Sequence, residues 1–263
     1  MTTGFRNVRE LVDAEIEGAA KFSTWRKQPT QTTASGFWFD LSMSPGNPNP
    51  QYYAASPGVS VAMSQSSDGG IFHGGNVSPA RKYLRRMMAM TVTATAVPMP
   101  MILLDYLLYY PFIDESSTDE QLLTNSVALP RYATGAGVQM MAVAVAAQTG
   151  GRTFQVSYTN SDGVSGRTSK TVTMSTQSVN GTIVTTASTN SGGPFIGLQN
   201  GDSGVRSIES VTMNGIDVGL FTLVLVKPIA QMSIRATDAP VELDYLVDFS
   251  QMPHIVDDDY FKL

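Results

Sequence analysis

Apolar residues recur at helical spacing at the start of the chain. Phe5, Val8, Val12, Ile16 and Ala19 share one face of a 3.6-residue period, with Arg9, Asp13 and Glu17 elsewhere on the wheel. The pattern predicts one amphipathic helix of about four to five turns. Residues 28–36 carry neither period and many turn formers, including Pro29 and Gly36, and read as a linker. A helix tied to the body in this way is either an arm reaching a neighbour or a helix folded back on its own domain.

From Phe37 onward the period is two. Phe37-Trp38-Phe39-Asp40-Leu41 reads as a short aromatic strand, and Pro45, Pro48 and Pro50 then favour extended coil. Thr91-Val92-Thr93-Ala94-Thr95-Ala96-Val97 alternates as a strand with one threonine face. Residues 101–110 are almost wholly apolar, a buried strand or a short helix, and 138–147 read as another buried strand. The clearest hairpin runs through 153–158 and returns through 169–174, with Asn160, Asp162 and Gly163 opening the connection. Phe154, Val156 and Tyr158 share one of its faces, with Val172 and Met174 as partners. Further strands are expected over 182–187, 205–213, 218–227, 230–236 and 241–247. Many short strands with few helices predict a mainly β fold, an antiparallel β-sandwich or jelly-roll-like body. The body covers 37–263, with a possible sub-boundary near 114–136, and follows a helix-and-linker arm over 1–36.

Composition sharpens this picture. Of the 263 residues only 15% are charged, against 42% hydrophobic, where soluble domains carry about 25% charged residues. Ser, Thr, Asn, Gln and Gly replace the missing charge, so neighbouring subunits can cover large areas of surface at modest desolvation cost. The net charge of −5 makes nucleic acid an unlikely partner for the surface as a whole. The absence of cysteine excludes disulfides, thiolate metal sites and a cysteine nucleophile. The mixed charges at Arg6, Arg9, Glu10, Asp13, Glu15 and Glu17 do not suit a signal peptide. Pro98, Pro100, Asp105 and Pro111 interrupt the greasiest stretch, so a membrane span is not expected.

Several segments suggest chemistry. Gly201-Asp202-Ser203-Gly204 resembles the nucleophile loop of chymotrypsin-like proteases, and His73 and Asp105 precede it in the matching chain order. Val205 stands where that family has a second glycine, and neither His73 nor Asp105 has the family's flanking residues. The string therefore reads as a turn, and no catalytic residue, cofactor or metal is assigned. His73 and His254 lack second ligands at metal-binding spacing. Asp257-Asp258-Asp259 reads as a solvated acidic tail. Phe37, Trp38, Phe39, Tyr52 and Tyr53 would form either a stacking platform or part of a core. Ser78-Pro79 is a helix-start signal, and Arg81, Lys82, Arg85 and Arg86 follow within a predicted helix over 79–88. These four cations meet either a negative partner or the chain's own carboxylates. With Phe5, Val8, Val12 and Ile16 of the first helix they are the candidate interface residues.

The wording of the chain resembles virion structural proteins of tailed bacteriophages. The resemblance rests on Phe37-Trp38-Phe39-Asp40-Leu41, Ser44-Pro45-Gly46-Asn47-Pro48 and His73-Gly74-Gly75-Asn76-Val77-Ser78-Pro79. Ser157-Tyr158-Thr159-Asn160-Ser161-Asp162-Gly163 and Gly201-Asp202-Ser203-Gly204-Val205-Arg206-Ser207 add to it. It implies a non-enzymatic virion component made in the host cytoplasm. The favoured form is a head-associated cement or decoration protein that contacts the major capsid protein or other virion proteins. Such proteins are often homo-oligomers, with a trimer favoured here. A tail or receptor- and carbohydrate-binding β module is the alternative, and a serine hydrolase the remote one.

Overall fold

The computed structural model describes residues 5–29, 36–66, 69–92, 97–176, 179–187, 193–249, 251–259 and 261–263. The chain starts with α1 (Val8–Ile16), followed by the short strands β1 (Arg26–Lys27), β2 (Gly46–Asn47) and β3 (Val61–Ala62). Next come β4 (Lys82–Tyr83), β5 (Arg86–Ala89), the long β6 (Met99–Asp114), β7 (Gln121–Leu122) and β8 (Gln139–Ala144). Then follow β9 (Thr153–Asn160), β10 (Arg167–Thr168), β11 (Val172–Thr173), β12 (Val205–Met213) and β13 (Leu220–Ile234). The series ends with β14 (Val241–Asp244), β15 (His254–Ile255) and β16 (Phe261–Lys262).

Two antiparallel five-stranded sheets form the body. One has the order β16-β6-β13-β8 with β3 also on β6, and the other β10-β9-β12-β7 with β11 also on β9. The fold is mainly β and sandwich-like, with one short helix at the start. Alternation explains how the sheets meet. Met140, Ala142, Ala144, Phe221, Leu223 and Leu225 of the first sheet face Phe154, Val156, Tyr158, Ile208, Val211 and Met213 of the second in one core. The intervening Met141, Val143, Val224 and Val226 point to the opposite face. There Met43, Tyr53, Met63 and Ile183 cover them. The first sheet is thus buried on both sides, which is why β6 and β13 read as continuous apolar runs.

The predicted hairpin is present. Val172 pairs with Phe154, and Phe154, Val156, Tyr158, Val172 and Met174 are all buried. The strand expected over 205–213 is β12, and 101–110 is the centre of β6. Residues 218–227 and 230–236 are expected as two strands but form one, β13. Its Pro228 lies past the last pairing with β8, at Val226, and beside a register shift against β6. A missing N–H is tolerated at such positions.

The first helix, expected at four to five turns, is only nine residues long, Val8–Ile16, and ends before Ala19 because the chain turns at Gly18. Three further expectations need correction. The helix expected over 79–88 is two extended segments, with β4 on β15 and β5 on β14. Strand pairing with residues far along the chain overrides the local Ser-Pro signal. Residues 182–187 make one bridge each at Thr182 and Ile183 and then a 3-10 turn over Val184–Ala187. The aromatic strand at 37–41 reduces to one bridge at Phe39, after which Asp40 caps a 3-10 turn over Leu41–Met43. The linker at 30–35 and the alternating residues 93–96 lie outside the described residues.

Candidate functional site

Local capping fixes the first helix. The Asn7 side chain accepts from the Glu10 N–H at 2.9 Å, and the Glu10 carboxylate accepts from the Arg6 N–H at 2.8 Å. Gly18, at φ 80°, ends the helix. The helix turns Leu11 inward and leaves the predicted stripe outside. Val8 is 61%, Val12 42% and Ile16 79% exposed. Phe5, 42% exposed, leans on the Tyr83 ring with centroids 6.3 Å apart. The helix therefore rests on its own chain at β4 while its apolar stripe faces outward.

Lys82 and Arg86 lie on β4 and β5, and Arg81 and Arg85 directly precede them. Arg85 pairs with Glu15 of the helix and with Asp244 of β14 at 3.7 Å. Arg86 reaches Glu242 at 2.9 Å and Asp244 at 3.4 Å. Lys82 donates to His73 Nδ1 at 2.9 Å and to the Gly75 carbonyl at 3.1 Å, and lies 3.6 Å from Asp257. Arg81 is exposed. Three of the four cations are thus tied to the chain's own acceptors, with partners on α1, β14 and the loops around His73 and Asp257 that the sequence does not mark as neighbours.

Between the helix, the segments 21–29 and 36–47, β4–β5 and the start of β6 runs a groove of about 2600 Å³. Trp25, Trp38, Leu84, Met87, Met101 and Leu103 give it an apolar floor. Seven of the described lining residues are cationic (Lys21, Arg26, Lys27, Arg81, Lys82, Arg85, Arg86) against three acidic ones (Glu15, Asp40, Glu242). In an acidic chain this is a concentrated reversal of charge. Exposed Met88 and Met90 continue the apolar surface along β5.

Behind the groove lies a polar centre that sequence reasoning missed. Asp105, Asp259 and Lys262 are completely buried, and Arg131 nearly so. Arg131 grips Asp105 with two donors at 2.9 and 2.6 Å and also donates to the Met63 and Tyr106 carbonyls. Asp259 lies 3.4 Å from the same Arg131 through Oδ1, and burial next to the Asp105 carboxylate pushes its pKa well up. The Lys262 ammonium sits 4.7 and 4.6 Å from the Tyr53 and Tyr106 ring centres. Burial, partly offset by Asp40, lowers its pKa to about 7. The acidic tail reading of 257–259 is overturned. Asp257 accepts the Val77 and Ser78 N–H groups at 3.0 Å each, and Asp259 is core. One signal was available: Asp105 interrupts an apolar run, and a buried carboxylate requires a partner.

The structure does not bring the protease-like residues together. His73 bonds the Asp259 carbonyl through Nε2 and Lys82 through Nδ1, whereas Ser203 Oγ meets Ser161 Oγ at 3.1 Å. Asp202 ties the loop down instead. It accepts from Arg167 (3.0 Å twice), Tyr158 (2.6 Å) and Asn160 (2.8 Å), and the Arg167 bonds above all hold its pKa near 2. The aromatic platform is not assembled either, since Tyr53 is core and Tyr52 is exposed. Among the described residues, no group of three or more His, Asp or Glu side chains is arranged to hold a metal, and no helix is long and apolar enough to cross a membrane. Compared with protein-family models, with curated proteins and with solved structures, the chain matches none.

Proposed function

We propose that this chain is a non-enzymatic virion subunit, head-associated as a cement or decoration protein, which stabilises a phage particle by packing against the major capsid protein and copies of itself. One observation carries the reading: an apolar helix stripe lies exposed beside an apolar groove rimmed with cations. An isolated chain gains nothing from exposing Val8, Val12 and Ile16 together, whereas a subunit buries them on assembly. The groove suits a protein segment with apolar side chains. Its floor of Trp, Leu and Met would desolvate a phosphate backbone without compensation, which argues for protein over nucleic acid. The low overall charge and the resemblance to phage virion proteins support the same reading.

The test is the double substitution Val8→Ser with Ile16→Ser. Both side chains are exposed in the single chain, so its melting temperature should hold. Each buried apolar side chain is worth roughly 1.5–3 kcal/mol, so docking should weaken by on the order of a hundredfold or more. Sedimentation velocity reads self-association, and co-sedimentation with capsids of the encoding phage reads particle binding. Unchanged binding in both assays would defeat the reading.

A further inference from the structure

At the end of the sandwich away from the groove, three connections converge. They are the residue after β6 (Glu115), the stretch 147–149 after β8, and the turn 214–219 joining β12 to β13. Their backbones are knitted together. The Asp217 N–H donates to the Glu115 carbonyl at 2.8 Å, and the Glu115 N–H to the Gly219 carbonyl at 3.3 Å. Inside this knot the Glu115 side chain is completely buried, and neither of its carboxylate oxygens has a hydrogen-bond partner. Asp217, 5% exposed, binds the Thr149 hydroxyl and the Val218 N–H through Oδ1 and leaves Oδ2 buried and unpartnered. The two carboxylates repel one another without being joined by a hydrogen bond.

Among the described residues no cation pairs with either of them. Arg152 spends its Nε on the Ile216 carbonyl at 3.1 Å and forms no ion pair with either acid. Asp114 is turned away, holding the Ser116 N–H and hydroxyl at 2.8 and 2.7 Å. Gly219, at φ 131°, lies close against the Glu115 carboxylate. A Cβ there would stand 2.8 Å from the Ala147 carbonyl oxygen and 3.0 Å from Glu115 Oε2.

We propose that Glu115 and Asp217 bind a calcium ion, completed by carbonyl or hydroxyl oxygens of the 147–149 stretch and by water. The donor set is all oxygen and contains two carboxylates, which fits a hard cation taking six to eight oxygens rather than zinc. The ion supplies the counter-charge that two buried carboxylates otherwise lack. The bound ion also has a mechanical effect. It clips the turn that crosses between the sheets to the ends of β6 and β8, stiffening a rim where Ile216 and Val218 are exposed. This site is independent of the groove and does not rest on the virion reading.

The experiment uses the full chain stripped with chelator, then titrated with calcium chloride by calorimetry and by thermal melting. The expected result is one ion per chain and a melting temperature raised by roughly 5–10 °C at a hundredfold excess over Kd. Glu115→Gln and Asp217→Asn should each abolish both effects, and Glu115→Gln should melt higher than the stripped wild type. Absence of binding to the wild type overturns the proposal, as does a calcium response retained by either variant, which would place the ion elsewhere. If Glu115→Gln fails to fold, the wild-type stoichiometry and the Asp217→Asn titration decide alone.

Discussion

Lys262 is an ammonium enclosed by phenol rings, with the Tyr53 hydroxyl 3.4 Å away. Its folded pKa of about 7 lies below the usual 10.5, so its stabilising contribution is complete only above about 10.5 and is lost as pH falls through 7. Lys262→Met keeps the length and removes the charge. It should melt above the wild type at pH 6, with the gap closing steadily towards pH 10. Scanning calorimetry across that range checks this, and a constant gap would contradict it. Glu115 has the opposite sign. Its folded pKa of about 8 exceeds the ordinary 4.5, so stability is complete below 4.5 and is lost as pH rises through 8. In calcium-free buffer the wild type should therefore fall progressively behind Glu115→Gln between those limits. Neither group was legible in the sequence, because nothing in Phe261-Lys262-Leu263 or Asp114-Glu115-Ser116 reveals whether partners await in space.

At the scale of elements, legibility follows the origin of each element's stability. The strand β9 alternates because one face meets a core, and β8 is continuously apolar because both do, and each pattern is written locally. Phe154 stands in the shared core, fully buried, with its ring centroid 4.9 Å from that of Phe221. Phe154→Ala should cost about 3–5 kcal/mol in a denaturant titration, and a loss under about 1 kcal/mol would mean the face is not packed as described. The strands β4 and β5 teach the reverse lesson. Arg86-Met87-Met88-Ala89 carries as much helical as extended character. It is extended because Val241–Asp244 pairs with it, a partner no local window contains. The four candidate cations lie close together along the chain, but the acids that hold three of them come from α1, β14 and the segment around Asp257.

For the molecule as a whole, the two candidate surfaces bear different loads. Only Leu11 of the helix is buried, so deleting residues 1–20 should lower the melting temperature by no more than about 2–4 °C while weakening association. Removing residues 1–63 takes away Met43, Tyr53 and Met63 and bares the second face of the central sheet. That truncation should lose its cooperative transition altogether, which calorimetry would show. A cut at residue 36 is less clean, because β1 pairs with β2 and Lys27 donates to the Ser42, Ser44 and Pro48 carbonyls across it.

The pairing of β16 with β6 also governs the order in which the protein acquires its structure. The sheet containing β9 to β12 is assembled largely from strands close together along the chain, whereas β16 joins residues 104 and 105 with 261 and 262. Closing so long a loop costs entropy before any contact is gained. Amides of β9 and β12 should therefore gain exchange protection early in refolding, and those of β6 near Leu104 only in the slowest phase. Until that phase is complete, Asp105 and Arg131 stay accessible to water at an unfinished sheet edge. Pulse-labelling hydrogen exchange would follow the two events separately, and simultaneous protection would show that the sheets form in a single step.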